Sequence, residues 1–362
     1  MTAASEQAAG AAPGGRAHGG RRLKVLIASY LEPDQVRRIA AFAPARVEVV
    51  CAPELLPEPR YLGDHTGRPP RLGPAGQARW QALLARADIL FDFDWQAPAE
   101  LPSRAPRLAW VQGTSAGIGE LVRRNGLLHA PFLMTTAAGV HGAALAEFVL
   151  LGLLHFTLDV PRLRRLQAAR RWQRHTSSAL AGRRVLVVGL GSVGRAIAQK
   201  LAALDLEVWG IRRGEAGASP AGVARVLPPA ALPGALGMVD ALVLACPLTE
   251  ATRRLIGAAE LAALRPGAIL VNVARGQVVD EPALIEALRS GRLAGAALDV
   301  FAEEPLPPDS PLWALENVLI SPHSASTLAD ENRRIVDLFL ANLERFLAGR
   351  PLLNRFDPAR GY

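Results

Sequence analysis

Short apolar runs alternate with longer amphipathic stretches through the first third of the chain. LKVLIASY at 23–30 is short and mostly apolar, which predicts a buried strand. QARWQALLARA at 77–87 predicts a helix and DILFDF at 88–93 another strand, while RLAWVQGTSAGIGEL at 107–121 combines a strand, a glycine-containing turn and a helix start. Alternating strands and helices predict a parallel sheet with helices on its faces.

The same alternation resumes beyond residue 182. RRVLVVGLGSVGRAIAQKLAALDLEVWGIRR at 183–213 predicts strand, glycine turn, helix and strand. ALVLACP at 241–247, AILVNVA at 268–274 and AGAALDVF at 294–301 are apolar runs that each lead into a polar loop. The chain has 362 residues, which is long enough for two domains, so we predict a second, complete α/β domain here.

The stretch between these two regions is helical in pattern. Residues 141–160 repeat apolar positions at helical spacing, and RLRRLQAARRWQR at 162–174 predicts a further helix with arginines along one side. We interpret that basic side as a solvated or subunit-contact face rather than a membrane-binding one. The apolar run 143–156 contains Glu147 and His155 and is shorter than the ~20 residues that cross a bilayer, so we expect no membrane span.

Two segments have the composition of irregular structure. Residues 1–22 are rich in Ala and Gly and contain no apolar stretch typical of a secretory signal, so we predict a disordered tail. The Pro- and Gly-rich stretch 53–76 predicts a long surface excursion rather than a core element. The only cysteines, Cys51 and Cys246, form no disulfide framework or zinc-site spacing, and we predict a cytoplasmic protein without a bound metal.

The net positive charge raises the question of whether the protein binds nucleic acid. It is +8 with a pI near 10.5, but Lys24 and Lys200 are the only lysines, so the excess of arginine is consistent with coding bias. No helix-turn-helix, RNA-binding or zinc-finger pattern accompanies the charge. We therefore expect no nucleic-acid partner.

A glycine motif predicts a nucleotide site. Gly189, Gly191 and Gly194 form G-x-G-x-x-G after the strand 185–188 and before the helix 195–204. In this context the first glycine permits a tight turn, the second lets a pyrophosphate approach the backbone, and the third lets helix and strand pack closely. The helix N-terminus would offer free N–H groups to the phosphates.

The end of the next strand bears on which dinucleotide binds. NAD sites usually place Asp or Glu there to accept hydrogen bonds from the ribose hydroxyls. LEVWGI at 206–211 is instead followed by Arg212 and Arg213, whose guanidinium groups could hold a 2′-phosphate. We favour NADP(H), with NAD(H) as the alternative if both arginines are merely exposed.

Chemically versatile side chains follow three predicted strands of the second domain. Arg275 follows ILVNVA, Asp299 and Glu304 lie in ALDVFAEEP, and His323 follows NVLISP. Ligands of open α/β sheets bind outside the carboxyl ends of the strands. A guanidinium can bind the carboxylate and carbonyl of a 2-keto acid, and a histidine beside a carboxylate can donate a proton to the alkoxide that hydride transfer creates.

The chain resembles the D-isomer-specific 2-hydroxyacid dehydrogenases, the family of phosphoglycerate, glyoxylate/hydroxypyruvate and D-lactate dehydrogenases. The matching stretches, in family order and spacing, are GLGSVG at 189–194, CPLTEATRRLI at 246–256, VNVARGQVVDEPALIEAL at 271–288, GAALDVFAEEPLP at 295–307 and SPHSAST at 321–327. The resemblance implies an α/β fold of two Rossmann-like domains with doubly wound parallel sheets, a flavodoxin-like substrate domain and an NAD(P)-binding domain, with a cleft between them.

The resemblance also implies roles for individual residues. Arg275 would bind the substrate, His323 would act as acid and base, and Glu304 rather than Glu303 would be its partner; Asp299 would hold the nicotinamide carboxamide. The implied cofactor contacts are Gly189, Gly191, Ser192, Val193, Gly194, Arg212, Arg213, Cys246, Pro247, Thr252, Val273, Ala274 and Asp299. A homodimer is expected on the same ground.

The family splits its substrate domain in sequence, which implies a domain of residues 23–136 completed by 328–362, with 137–327 binding the cofactor. The implied substrate contacts are Phe93, Asp94, Trp95, Ala116 and Gly117, largely through backbone N–H groups. Asp92 and Asp94 depart from what an anionic substrate requires, unless their carboxylates bond other groups.

Other functions remain as alternatives. A non-enzymatic NAD(P)H-sensing, corepressor-like protein of the same fold would not need Arg275, Glu304 and His323 together. A formate- or phosphite-oxidising relative is disfavoured because formate enzymes typically carry Gln where Glu304 stands. His141 is predicted to cap or pack a helix start, and His65 and His129 lie in predicted loops without an evident partner.

Overall fold

The computed structural model describes residues 21–214 and 218–361. The tail predicted for residues 1–22 therefore lies almost entirely outside the described residues. Of that segment, Arg21 and Arg22 are described, and both Nη atoms of Arg21 donate to the Asp88 carboxylate, at 2.7 and 2.8 Å.

Strands and helices alternate along the chain as the apolar pattern predicts. The strands are β1 (Leu23–Ile27), β2 (Val47–Val50), β3 (Ile89–Phe91), β4 (Trp110–Gln112), β5 (Leu133–Thr135), β6 (Arg184–Val188), β7 (Glu207–Ile211), β8 (Arg225–Leu227), β9 (Ala241–Leu244), β10 (Ala268–Asn272), β11 (Leu293–Leu298) and β12 (Val318–Ile320). The helices are α1 (Pro33–Phe42), α2 (Pro74–Leu84), α3 (Leu101–Arg104), α4 (Gly119–Arg124), α5 (Gly142–Thr157), α6 (Val160–Ala168), α7 (Ser192–Ala202), α8 (Leu232–Leu236), α9 (Ala258–Ala263), α10 (Glu281–Arg289) and α11 (Glu331–Leu347).

The chain divides into two compact units. The first ends at Val140 and is completed by the segment from Leu328 onward, and the second is His141–Thr327. The boundary predicted from the sequence lies between 136 and 137 rather than 140 and 141, and the boundary at 327/328 is the same.

The sheet of the first unit is fully parallel, in the order β2-β1-β3-β4-β5. This is the flavodoxin-like order, and the direction of winding reverses between β1 and β3. Both faces are covered, so most strand residues are apolar; on one face, α11 stacks Phe339 on Trp110 with ring centroids 5.1 Å apart. The predicted fold class is thus confirmed for this unit.

The sheet of the second unit is also parallel, in the order β12-β11-β10-β9-β6-β7-β8. Its winding reverses between β6 and β9, as in dinucleotide-binding domains. The glycine motif follows β6, and the residues that follow β9, β10, β11 and β12 lie at the same carboxyl edge. The predicted fold class is confirmed here as well.

Three details of the sequence prediction are wrong. The helix expected over 162–174 ends at Ala168, because Arg170 adopts a left-handed conformation with φ of +51°. The excursion 53–76 contributes Leu55 and Leu56, 4% and 6% exposed, to the core of the first unit. Strand β8 was not predicted, since it has three residues and none is fully buried.

No single helix among the described residues is long and apolar enough to cross a bilayer. The pair α5 and α6, which is bent by 61° at its break, meets the length and composition criteria only when the two are taken together.

Candidate active site

The glycine turn after β6 has the local geometry that a pyrophosphate requires. Gly189 has a φ of +100°, and a Cβ added there would lie 2.7 Å from the Cys246 backbone. A Cβ on Gly194 would lie 1.8 Å from the Gly189 carbonyl oxygen, so α7 can approach β6 this closely only with glycine at 194. A Cβ on Gly191 would meet no atom within 4 Å. Helix α7 begins at Ser192, directly after this open position, with Val193 next.

The carboxyl ends of β7 and β9 bring two arginines and a cysteine into one region. Arg212 and Arg213 directly follow β7; Arg212 is half-buried and Arg213 is exposed. Burial raises the pKa of the Cys246 thiol to about 11, against smaller opposing effects from a hydrogen bond to its own backbone and from the positive charge of Arg213. The Cys246 thiol is therefore uncharged, and it lines this region without acting as a reactive thiolate.

Residues 247–252 form a compact turn beside Cys246. The hydroxyl of Thr252 donates to the Pro247 carbonyl at 2.7 Å and accepts from the Thr249 N–H at 2.8 Å. Pro247 is exposed, so this turn presents an apolar ring at the surface of the nucleotide-binding edge.

The loop that carries Arg275 is fixed by a buried asparagine. Asn272, the last residue of β10, is 2% exposed; its side-chain amide donates to the Arg275 carbonyl at 3.1 Å and its side-chain oxygen accepts from the Ala274 N–H at 3.0 Å. Val273 and Ala274 are buried beneath this turn. The guanidinium of Arg275 donates to the Ala274 carbonyl at 2.7 Å.

Glycine at 276 joins this loop to the one that carries Glu304. A Cβ at Gly276 would lie 1.8 Å from the carbonyl carbon of Phe301, so only glycine lets the two backbones meet. Phe301 in turn donates its N–H to Glu304 Oε1 at 3.0 Å. The Arg275 and Glu304 loops are therefore one packed unit.

Glu304 and His323 form a close pair. Glu304 Oε2 lies 2.7 Å from His323 Nδ1, and the two side chains are 35% and 46% exposed. An ionised carboxylate only accepts hydrogen bonds, so we assign the proton of this contact to Nδ1, which leaves Nε2 for a substrate. Glu303, the neighbouring carboxylate, is exposed.

The surroundings favour the ionised form of Glu304. Partial burial acts to raise the pKa of this carboxyl, but hydrogen bonds from His323 and the Phe301 N–H, with the positive charges of His323 and Arg275, hold it below its ordinary value. The positive charge of Arg275 therefore acts on the Glu304 carboxylate.

Asp299 anchors the loop that carries His323. Its Oδ1 accepts from the Ser321 hydroxyl at 2.6 Å and from the N–H groups of Ser324 and Ala325, each at 2.9 Å. His323 lies inside this loop with a φ of +54°. Burial raises the pKa of Asp299, and these hydrogen bonds and the charge of His323 oppose that effect. Sequence reasoning assigned Asp299 to the cofactor and missed its contacts with this loop; it also missed Asn272 and Ser321.

In the first unit, the predicted substrate loops lie side by side after β3 and β4. Asp92 has a φ of +72°; its carboxylate accepts from the Phe93 N–H at 2.9 Å and from the Thr114 hydroxyl at 3.0 Å. Ser115 accepts from the Gly117 N–H at 3.1 Å. Phe93 is buried, Ala116 is half-buried and Gly117 is exposed.

The carboxylate of Asp94 is directed into the domain. It is 1% exposed, accepts from the Trp80 indole N–H at 2.9 Å and pairs with Arg104 at 2.6 Å. Any role of Asp94 in substrate binding would therefore fall to its backbone, and its negative charge is balanced. Trp95 packs near Trp80 with ring centroids 6.1 Å apart.

Proteins similar to this chain are known, and their family is consistent with the arrangement of side chains described above. The family model "D-isomer specific 2-hydroxyacid dehydrogenase, NAD binding domain" matches residues 150–325. The chain is 34% identical to a glyoxylate reductase of Korarchaeum cryptofilum over 266 residues, 69% of this chain and 76% of that protein. The chain belongs to the D-isomer-specific 2-hydroxyacid dehydrogenases.

Solved structures of this dehydrogenase family have the same fold. A D-isomer specific 2-hydroxyacid dehydrogenase from Xanthobacter autotrophicus Py2, in complex with NADPH and MES, is 34% identical with a TM-score of 0.75, covering 94% of this chain and 99% of that one. An NADPH-dependent glyoxylate/hydroxypyruvate reductase from Sinorhizobium meliloti, in complex with NADP and sulfate, is 27% identical with a TM-score of 0.75, covering 94% of this chain and 100% of that one. The dehydrogenase therefore binds a nicotinamide cofactor and interconverts 2-keto and 2-hydroxy acids.

Proposed function

We propose that this dehydrogenase reduces small 2-keto acids of the glyoxylate and hydroxypyruvate class to D-2-hydroxy acids. In this proposal Arg275 binds the substrate, His323 is the acid and base, and Glu304 is its partner. The observation that carries the assignment is the 2.7 Å contact between His323 Nδ1 and Glu304, with Arg275 acting on the same carboxylate.

Each side chain has one task in reduction. The guanidinium of Arg275 pairs with the substrate carboxylate and polarises its carbonyl. The cofactor, when bound, supplies the hydride. As the carbonyl oxygen gains negative charge, His323 donates a proton to it from Nε2, and Glu304 stabilises the protonated ring beforehand. Oxidation of the hydroxy acid uses the same groups in reverse.

We propose NADP(H) as the preferred cofactor. Two guanidinium groups follow β7, where a carboxylate would favour the free ribose of NAD. The relative from Xanthobacter autotrophicus binds NADPH and that from Sinorhizobium meliloti binds NADP. The glycine turn fits a dinucleotide. The space beside Gly191 is free of protein atoms, and Gly194 lets α7 pack directly against the Gly189 carbonyl.

We also propose a homodimer formed through the α5–α6 surface, defined by five exposed apolar residues. They are Leu151, Leu154, Leu158, Leu163 and Trp172, which is 98% exposed. Leu151 and Leu154 lie on one side of α5, opposite its buried side, and Leu158 follows directly after the helix at the same spacing. Apolar side chains concentrated in this way mark an interface.

The activity is tested by NADPH and NADH consumption with a panel of 2-keto acids. We expect NADPH oxidation with glyoxylate and hydroxypyruvate. His323→Ala should lower kcat by roughly 10²–10⁴ while NADPH affinity stays nearly constant, because a proton donor is lost and the nucleotide contacts are not. The exposed His129 supplies the matched control, His129→Ala. A His323→Ala enzyme as active as the control would remove His323 from the mechanism.

A further inference from the structure

The loop that follows β12 in the second unit is wound around a single oxygen atom. Strands β11 and β12 end side by side, so Asp299 and Ser321 are the first residues beyond two neighbouring strands. Asp299 Oδ1 accepts from the Ser321 hydroxyl at 2.6 Å and from the N–H groups of Ser324 and Ala325, each at 2.9 Å. These donors come before and after His323 in the sequence, so one carboxylate holds the chain on both sides of that residue.

The hydroxyl of Ser321 is the donor on the first of these two sides. The N–H of Ser321 donates to the Leu298 carbonyl at 2.9 Å, and the N–H of His323 donates to the Ser321 carbonyl at 3.0 Å. Pro322, between them, has no N–H. The backbone ahead of His323 therefore has no N–H left for Asp299, and the chain reaches the carboxylate there through the Ser321 side chain.

The His323 backbone needs such support. Its φ of +54° lies in the left-handed region, which a residue other than glycine keeps only where its surroundings hold it. The imidazole is 46% exposed, and within residues 21–214 and 218–361 its one hydrogen bond is the contact of 2.7 Å between Nδ1 and Glu304. The position of Nε2 therefore depends on the backbone as well as on that contact.

The Ser321 hydroxyl also favours the charge that holds the loop. Asp299 is 2% exposed, and burial raises the pKa of its carboxyl group. The hydrogen bond from Ser321 is the largest of the effects that oppose this rise. An ionised carboxylate is a stronger acceptor than a neutral carboxyl group, so the same hydroxyl strengthens the contacts from Ser324 and Ala325.

We propose that Ser321 is a positioning residue for catalysis, and that its hydroxyl, acting through Asp299, holds the His323 backbone so that Nε2 stays in place for proton transfer. The proposal rests on the proposed function, in which His323 is the acid and base. It adds a residue that acts through another side chain and does not itself touch the reacting atoms.

The first test is steady-state reduction of glyoxylate and hydroxypyruvate with NADPH. Ser321→Ala should lower kcat by about 10- to 100-fold, because a small displacement of a proton donor is costly. KM for the 2-keto acid and Kd for NADPH should change little, since Arg275 and the glycine turn are untouched. Ser321→Thr keeps the hydroxyl and should restore most of the rate. The matched control is Ser290→Ala, which removes an exposed hydroxyl that donates to the Glu286 carbonyl in the same unit.

The solvent deuterium isotope effect on kcat separates positioning from a loss of folded protein. It should increase in Ser321→Ala, because proton transfer from a misplaced imidazole then limits the rate. A smaller fraction of folded enzyme would lower kcat and leave the isotope effect unchanged. Ser321→Cys provides a second variant if Ser321→Ala folds poorly, since a thiol has nearly the size of the hydroxyl but is a weak donor.

Hydrogen exchange of the loop gives a measurement that does not depend on turnover. In Ser321→Ala the N–H groups of Ser324 and Ala325 should exchange at least about tenfold faster than in Ser290→Ala, as measured by mass spectrometry of the peptide that contains residues 321–327. Equal exchange rates in the two variants would contradict the anchoring by Ser321.

The outcomes distinguish this proposal from the proposed function. An unmodified enzyme that oxidises NADPH with neither 2-keto acid contradicts the proposed function, and the exchange rates still decide whether Ser321 holds the loop. If the unmodified enzyme is active, and Ser321→Ala and Ser321→Cys both match the control in kcat and in isotope effect, the positioning role of Ser321 is overturned.

Discussion

Both oxygens of the Glu304 carboxylate have defined partners. Oε1 accepts from the Phe301 N–H and Oε2 faces His323 Nδ1, so the carboxylate cannot rotate without breaking a hydrogen bond. A charge fixed in this way stabilises the protonated imidazole without reorganising during the reaction. Because its pKa is lowered, Glu304 keeps its negative charge to a lower pH than an ordinary glutamate, and that charge is lost as the pH falls through the lowered pKa.

Glu304→Gln should therefore change the pH dependence of the reaction. The amide cannot ionise, so the variant never carries a negative charge beside the imidazole and has no carboxyl group there that protonates at low pH. We expect kcat/KM for 2-keto acid reduction, measured from neutral pH downward, to be lower than in the unmodified enzyme near neutral pH, and to lack the decline that the unmodified enzyme shows as the pH falls through the lowered pKa of Glu304. The exposed neighbour gives the matched control, and Glu303→Gln should keep the original profile. Identical profiles for the two variants would show that Glu304 does not tune His323.

The preference for NADPH or NADH is a second property that we expect single residues to determine, in this case the arginines that follow β7. Arg212→Asp should raise kcat/KM with NADH relative to NADPH by at least about tenfold, because a carboxylate can accept from the ribose hydroxyls and repels a 2′-phosphate. The comparison variant is Arg86→Asp, which removes an exposed arginine of the other unit. An unchanged NADH to NADPH ratio in Arg212→Asp would contradict the 2′-phosphate assignment.

At the scale of elements, the sequence was most informative where one local rule acts alone. Strand β6 follows from its apolar run, which reflects burial, and the glycine turn and the start of α7 follow from the glycine spacing, which reflects backbone sterics. The contacts of Asp299 with Ser321, Ser324 and Ala325 could not be read in this way, since they join segments that are adjacent only after folding. Their one signal in the sequence is a polar residue at or just after a strand end.

Alanine substitutions at two glycines of the same turn should have different effects, one on protein stability and the other on nucleotide binding. Gly194→Ala places a methyl group against the Gly189 carbonyl, so α7 must move away from β6, and we expect a loss of about 1–3 kcal/mol in unfolding free energy. Gly191→Ala meets no protein atom, so it should leave the thermal midpoint nearly unchanged while raising the Kd for NADPH about tenfold or more. Denaturation curves and fluorescence titration measure the two effects. A Gly191→Ala protein that binds NADPH normally would contradict the placement of the pyrophosphate.

For the whole molecule, the distribution of exposed apolar residues matters more than the net charge of +8. Exposed apolar side chains elsewhere, such as Leu204 and Met238, are scattered, whereas the α5–α6 surface gathers five in a segment of the second unit. Isolated exposed apolar residues need no partner, whereas several within one short segment are typical of a surface that associates. The arginines of α6 can surround such an interface as a polar rim.

The homodimer proposal makes a prediction about mass in solution. Light scattering after size exclusion should give twice the chain mass of 38.4 kDa, and Leu151→Glu combined with Leu158→Glu should shift the protein to a monomer. A carboxylate at these positions, 51% and 40% exposed, is well solvated in a monomer but would be buried without a partner in a dimer. Leu204→Glu, at a position 43% exposed in the same unit, should leave the mass unchanged. If the double variant keeps the mass of the unmodified protein, subunits associate through another surface, and a monomeric unmodified protein would reject the dimer altogether.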